Sequence, residues 1–320
     1  MDSICAPNHG KPIHIAILGA SISGLSLAIA LQNHAPNVSF TVYESSGCLG
    51  AVGAGVVFGP NALAAMSLIS PILKSRYDEV ATGNGTPGKE NVFHDMLLAE
   101  PGFGIQRLGL KNGGEEVKYG CFKKSGIHRG DLMGLMGSLV PEERVQLGKR
   151  AIDIKQDSEK VLITFADGEV VEADAAVGCD GGKGVSRVAV LGDRYPDAVK
   201  ATYAGRYAYR TIVPMEKARA ILGSYVDDGK MFMGKGCYFT MYPMSKATQL
   251  NVLAARQRDE PWVHEGWTFD VTMEEMLEDF EGCDERLVKL LEVSDVLCGF
   301  NAALLYTKYS HIAVHLKTDG

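Results

Sequence analysis

The hydrophobic pattern of residues 13–44 changes period twice. Ile13, Ile15, Ala16, Ile17 and Leu18 form a nearly continuous apolar run, as a parallel strand buried on both faces requires. From Ile22 to Leu31 apolar positions recur at helical spacing through Leu25, Ala28 and Ile29. Pro36 and Asn37 then break the helix before a second strand, Phe40 to Tyr43. Gly19, Ser21 and Gly24 lie in and just after the first turn, and Glu44 follows the second strand, twenty positions beyond Gly24. Strand, glycine turn, helix, strand and acid in this order are the context of a dinucleotide fingerprint. Gly19 permits the tight turn, the helix N-terminus offers N–H groups to a pyrophosphate, Gly24 lets helix and strand approach, and Glu44 accepts from ribose hydroxyls. Ser21 stands where the middle glycine is expected, so its side chain must turn away from a phosphate or offer its own hydroxyl.

Further along, "GAVGAGVVFGPNA" places Gly50, Gly53, Gly55 and Gly59 ahead of a helix predicted over Ala62 to Leu68. "GIHRGDL" sets Arg129 just before a helix-like stretch with Leu132, Leu135, Met136 and Leu139. "VLITFADGEVVEADAAVGCDGG" predicts two alternating strands about an Asp167–Gly168 turn, and then an apolar strand that stops at Asp180–Gly181. Between Ala198 and Val263, "YAGRYAYRTIVPM", "MFMGKGCYFTMYPM" and "QLNVLAARQ" read as aromatic and methionine-rich strands. Thr272 with Glu275 forms a capping box that opens a helix through Phe280, and an amphipathic run follows over Leu287 to Leu291.

Composition narrows the class. The chain of 320 residues is 46% hydrophobic, long enough for two interleaved domains. Its net charge of −7 and the lack of a basic run argue against nucleic acid as a partner. Glycine and serine interrupt the apolar run at 13–31, so it reads as strand and helix rather than a signal peptide, and no stretch is apolar enough to span a membrane. Seven scattered cysteines without a CxxC suggest neither a disulfide framework nor a metal site; a reducing, cytoplasmic compartment is expected.

These motifs, in this order, resemble the FAD-dependent aromatic hydroxylases of the para-hydroxybenzoate and salicylate hydroxylase type, particularly their fungal members. The resemblance rests on Gly19, Ser21, Gly24 and Glu44, the loop Gly53 to Pro60 with Gly55, Arg129 in "HRGDL", and Asp180, Gly181 and Arg187 around the "DG" motif. It implies an α/β, two-domain (α+β) architecture, with a Rossmann-like FAD-binding domain over 1–80 and 125–195 interleaved with a mixed-sheet substrate domain over 81–124 and 196–305. It also implies FAD as cofactor, NAD(P)H as reductant, O2 as co-substrate and a small phenolic or salicylate-like substrate, in aromatic catabolism or fungal secondary metabolism. Oxygen activated on reduced flavin attacks an electron-rich ring, so a cation or tyrosine is expected near the phenolic oxygen. Arg206 and Tyr238 are the first candidates, then Arg210 and Tyr242, the arginines because charge among apolar strand residues is costly unless paired.

The resemblance also implies a later "GDAAH" motif, whereas the sequence reads "AALLYTKYSHIAVHLKTDG" over its last residues, so 306–320 is expected to be a divergent tail of a shortened chain. Two other readings therefore stay open: a non-catalytic binding protein that kept the fold, and a flavin reductase or dehydrogenase that inserts no oxygen.

Overall fold

The computed structural model describes residues 13–50, 54–108, 117–119, 124–157, 159–200, 203–261, 263 and 271–293. Gly53 and the 306–320 tail lie outside the described residues. Two compact units emerge, one from residues 13–49 with 136–200 and the other from 50–135 with 201–293.

In chain order the elements begin with β1 (Ile13–Leu18), α1 (Ile22–His34) and β2 (Val38–Tyr43). Next come β3 (Gly55–Phe58), α2 (Pro60–Ile69), α3 (Pro71–Val80), β4 (His94–Leu98), β5 (Val117–Tyr119), β6 (Ser125–His128) and α4 (Arg129–Gly137). The middle of the chain forms β7 (Val145–Gln146), β8 (Ala151–Gln156), β9 (Val161–Phe165), β10 (Val170–Ala173), β11 (Ala175–Gly178), α5 (Val185–Leu191) and α6 (Pro196–Val199). The last are β12 (Arg206–Pro214), α7 (Met215–Leu222), β13 (Lys230–Gly234), β14 (Cys237–Met244), β15 (Gln249–Gln257), α8 (Met273–Glu278) and α9 (Glu285–Glu292).

The first unit is built on a parallel sheet ordered β11-β1-β2-β7. β1 is central, which is why its apolar run is continuous: Ala16 and Ile17 are fully buried. α1 turns Leu25, Ala28 and Ile29 inward. An antiparallel sheet, β10-β9-β8, packs Val161, Ile163 and Phe165 against Ala16, Leu18 and Tyr43. β9 and β10 are joined through the expected Asp167–Gly168 turn, where Gly168 has φ +90°, a conformation that glycine adopts without steric cost.

The second unit is built on a sheet ordered β12-β15-β14-β13-β4-β5, in which only β13 and β4 run parallel. Alternation sends Tyr207, Tyr209, Val213, Phe232, Phe239, Met241, Val252 and Ala254 to one face. There they join Leu222 of α7, Met276 of α8, Phe280 just beyond α8, and Leu287, Leu290 and Leu291 of α9 in the main core. Each such buried Val, Leu, Phe or Met side chain contributes about 1.5–3 kcal/mol. α8 opens on the predicted Thr272–Glu275 capping box. β3 and β6 form a short antiparallel ribbon tied to the same unit, since Gly55 N–H donates to Asn251 Oδ1 at 2.8 Å. Residues 54–80 and 125–135 accordingly pack with the large sheet, whereas the division drawn on cofactor motifs groups them with the first strand and helix.

Candidate functional site

The carboxyl edge of the parallel sheet assembles the first set of predicted residues. Leu18 stands level with Tyr43 on one side and Gly178 on the other, so Gly19, Glu44 and Cys179 are the next residues of three adjacent strands. Gly19 N–H donates to the Tyr43 carbonyl at 2.8 Å, and Cys179 N–H to the Leu18 carbonyl at 2.7 Å. Gly19 has φ +103°, and a Cβ there would lie 2.5 Å from the Cys179 carbonyl oxygen, so the turn requires glycine.

Ser21 resolves the question its position raises. Its φ of −78° and ψ of 178° are extended and need no glycine; its hydroxyl caps α1 by accepting from Gly24 N–H at 3.4 Å and donates to the Cys179 carbonyl at 3.2 Å. Glu44 is equally fixed. One carboxylate oxygen accepts from Ala20 N–H at 2.8 Å and the other from Ser46 N–H at 2.8 Å, which holds the acid beside the N-terminal end of α1.

These residues line a cleft of about 390 Å³ together with Ser45, Lys149, Arg150, Asp180, Gly181 and Lys183. Its chemistry suits a dinucleotide: a helix N-terminus with Arg150 and Lys183 for phosphate, a carboxylate for ribose, and a glycine-lined wall for close approach, while the Lys149 ammonium is held by Asp167 and Glu169. Lys149, Arg150 and Lys183 were not among the sequence candidates. The only trace of the first two is the basic pair in "LGKRA", which reaches the cleft because Lys149 N–H donates to the Glu44 carbonyl at 2.7 Å.

Asp180 and Arg187 are placed differently from one another. Asp180 lines the cleft but turns its carboxylate onto the start of α5, accepting from Ser186 N–H at 3.1 Å and from the Ser186 hydroxyl. A Cβ on Gly184 would collide with that carboxylate at 2.0 Å. Arg187 is buried away from the cleft lining, with Nε donating to the Ala198 and Val199 carbonyls at 3.0 Å each. Gly181 keeps a left-handed φ of +82° with open space beside it.

In the second unit, Gly55 sits against Asn251 and Tyr242, and Arg129 begins α4 with its N–H donating to the Ala54 carbonyl at 3.1 Å. Arg206, Arg210, Tyr238 and Tyr242 share one face of the large sheet, the face opposite the main core. The register sets Ala208 beside Ala255 and Ala255 beside Tyr238, with Arg210 and Thr240 flanking Leu253. Tyr238 is half-buried against Ala208, Leu253 and Ala255. The two arginines are exposed on β12, the strand at the sheet edge, so the burial cost invoked for them is absent. Burial pushes the Tyr242 phenol well above its ordinary range, and the charge of Arg210 works against that shift.

The same face carries a group missed in the sequence. Lys124 is 3% exposed, and its ammonium lies 5.5 Å from the Phe93 ring centre and 5.7 Å from that of Tyr242, with no hydrogen-bond partner. Burial lowers its pKa to about 7, against the pull of Asp228 and Asp95. His94, which shares a hydrogen bond with the Thr240 hydroxyl at 3.1 Å, is lowered to about 3 by burial and by Lys124. The sequence gives no signal for Lys124, because its seclusion depends on strands distant in the chain.

The architecture and the cleft define a dinucleotide-binding α/β protein with a separate mixed-sheet unit. No family model matches the chain. A FAD-dependent monooxygenase of Gibberella moniliformis is 33% identical over 282 residues, covering 87% of this chain and 64% of that protein. The 6-methylsalicylate 1-monooxygenase atA of Aspergillus terreus is 32% identical over 288 residues, covering 88% of this chain and 62% of its own. The chain thus spans less than two thirds of the length of these curated relatives. Among solved structures, a salicylate hydroxylase in a substrate complex matches with a TM-score of 0.71 at 24% identity, over 92% of this chain and 68% of that one, and shows the shared fold. The curated proteins that this chain resembles over most of its length are FAD-dependent monooxygenases, the similarity that its motif order implied.

Proposed function

We propose that the protein is a FAD-dependent monooxygenase that hydroxylates a phenolic or salicylate-like aromatic substrate with NAD(P)H and O2. The observation that carries this reading is the cleft where Gly19, Ser21 and Glu44 meet at the carboxyl ends of β1 and β2. Bound there, FAD supplies the transfer of electrons from NAD(P)H to oxygen. The N-terminus of α1 and the cations Arg150 and Lys183 hold its phosphates, and Glu44 accepts from its ribose. Gly53, Gly55, Arg129, Asp180 and Gly181 keep their expected cofactor roles on the strength of the resemblance, and with them the division into a cofactor domain (1–80, 125–195) and a substrate domain (81–124, 196–305). Arg187 acts only indirectly, by tying α5 to the Ala198 and Val199 carbonyls.

On the face of the large sheet opposite the main core, the exposed Arg206 and Arg210 attract the carboxylate or phenolate of the substrate, while Tyr238 and the more deeply set Tyr242 orient its ring. Relatives named for salicylate and 6-methylsalicylate support this substrate class. Among the described residues no helix is long and apolar enough to cross a membrane. The free thiols of Cys48, Cys179, Cys237 and Cys283 support a cytoplasmic site of action.

The test is the visible absorption spectrum of the purified chain after incubation with FAD and removal of the excess, followed by NAD(P)H oxidation with salicylate and 6-methylsalicylate. Flavin bands near one per chain and substrate-stimulated oxidation with a hydroxylated product are expected. A colourless protein that takes up no FAD overturns the cofactor assignment, and flavin reduction without product overturns the hydroxylation.

A further inference from the structure

Two thiols far apart in sequence meet at the edge of the main core. Cys237 opens β14 and Cys283 precedes α9, and their sulfurs lie 3.6 Å apart. Both are held on anchored backbone. Beside Cys237, Gln257 N–H donates to the Gly236 carbonyl at 2.7 Å; beside Cys283, Asp284 N–H donates to the Ala99 carbonyl at 2.6 Å, and Cys283 N–H to the Phe280 carbonyl at 3.0 Å. Glycine at 234 leaves room for the Cys237 sulfur, since a Cβ there would lie 2.5 Å from it. We propose that Cys237 and Cys283 form a peroxide-sensitive thiol pair that closes to a disulfide and pins the β13–β14 turn to the segment joining α8 and α9.

Three observations give the pair its reactivity. The hydrogen bond with Cys283 and the guanidinium of Arg256, its cross-strand neighbour, pull the Cys237 thiol below the usual range and favour it over Cys283 as the attacking sulfur. Cys283 lines an open cleft between α8 and α9, which brings a small oxidant up to the sulfur pair, Cys237 itself being buried and in contact with the Cys283 sulfur. The two sulfurs are already in contact, so little rearrangement is needed to bond them. The oxidant is hydrogen peroxide. The Cys237 thiolate attacks one peroxide oxygen, the O–O bond breaks, and the released hydroxide leaves as water after taking a proton. The Cys283 sulfur then attacks the resulting sulfenic sulfur, forming the S–S bond and expelling a second water. Two thiols are oxidised by two electrons, and one peroxide is reduced to two waters.

The test treats the full purified chain with a small excess of hydrogen peroxide, blocks remaining thiols by alkylation, and maps peptides without reduction. The expected result is a peptide pair joined through Cys237 and Cys283, two hydrogens lighter than the separate peptides, with alkylation lost at both positions. Dithiothreitol should restore both thiols, and the oxidised protein should unfold at a higher temperature than the reduced one. In Cys283→Ser and Cys283→Ala, Cys237 should instead accumulate a sulfenic acid trapped by dimedone. Recovery of both cysteines alkylated after treatment, or pairing of either with a different cysteine, overturns the proposal. The mapping is made on the unmodified protein and does not depend on how the variants fold.

Discussion

The carbonyl oxygen of Gly19 lies 2.0 Å from where a Cβ on Gly24 would stand. The obstacle is backbone, which has no rotamer to yield, so helix and turn are locked together by the absence of one methyl group. Gly24→Ala should force α1 off β1 and cost about 3 kcal/mol, the upper part of the usual overpacking range. Denaturant unfolding checks the stability loss, and a parallel flavin titration should show FAD uptake falling with it.

Ser21 leads to the opposite expectation. Its backbone is extended and its hydroxyl serves as the helix cap, so Ser21→Gly should change stability by only a few tenths of a kcal/mol and leave flavin binding intact, whereas Ser21→Ala should cost about 1 kcal/mol. Equal losses in the two variants would show that the hydroxyl does more than cap.

Glu44→Gln keeps the size of the side chain and removes the charge that accepts from Ala20 and Ser46 N–H. Hydrogen bonds to a charged acceptor contribute about 1.5–3 kcal/mol each, so FAD affinity should fall roughly ten- to a hundredfold as the ribose acceptor weakens. Quenching of flavin fluorescence on binding measures it.

Lys124 predicts a pH dependence. Lys89 and Lys230 already face Asp95 and Asp228 in pairs, leaving Lys124 without a hydrogen-bonding partner in its buried site. Its folded pKa of about 7 lies below its ordinary 10.5, so between these values the unfolded chain holds the extra proton and stability rises with pH. The destabilisation is full below pH 7 and fades as pH climbs toward 10.5. Lys124→Met should therefore stabilise the protein by about 1–3 kcal/mol at pH 6 and by much less at pH 10. A variant-minus-native difference that is flat with pH would assign the titration to another group.

Arg206→Ala and Arg210→Ala should each leave flavin content unchanged while weakening turnover of an anionic aromatic substrate roughly ten- to a hundredfold. Only Arg210→Ala should also move the Tyr242 phenol further upward, because the Arg210 charge is what opposes burial there. Normal turnover in either variant removes that arginine from the substrate face.

The cleft at the carboxyl edge of the parallel sheet was legible because it is local. β1, α1, β2 and Glu44 occupy 32 consecutive residues, and their periods alone set the order strand, turn, helix, strand, acid. Lys149 and Arg150 were not legible, since they reach the cleft only through the backbone bond to residue 44. α3 escaped notice because it buries only Leu73 and Tyr77, too few positions to mark a period, and Asp95 disguises β4 as a polar segment. For Arg206 and Arg210 the alternation with Tyr207 and Tyr209 was plain. Strand pattern gives two faces, but which one is covered depends on α7, α8 and α9, whose packing lies beyond any local window.

β1 is sandwiched between β2, made almost at once, and β11, made about 160 residues later. At typical synthesis rates of about 5–20 residues per second, that interval lasts on the order of ten to thirty seconds. During it the most apolar strand of the first unit presents an open edge to the cell. The nascent chain must therefore be sheltered, or synthesised quickly, until Ala175–Gly178 emerges, and its yield in a foreign host should depend on chaperone supply and growth temperature more than on the stability of the finished fold.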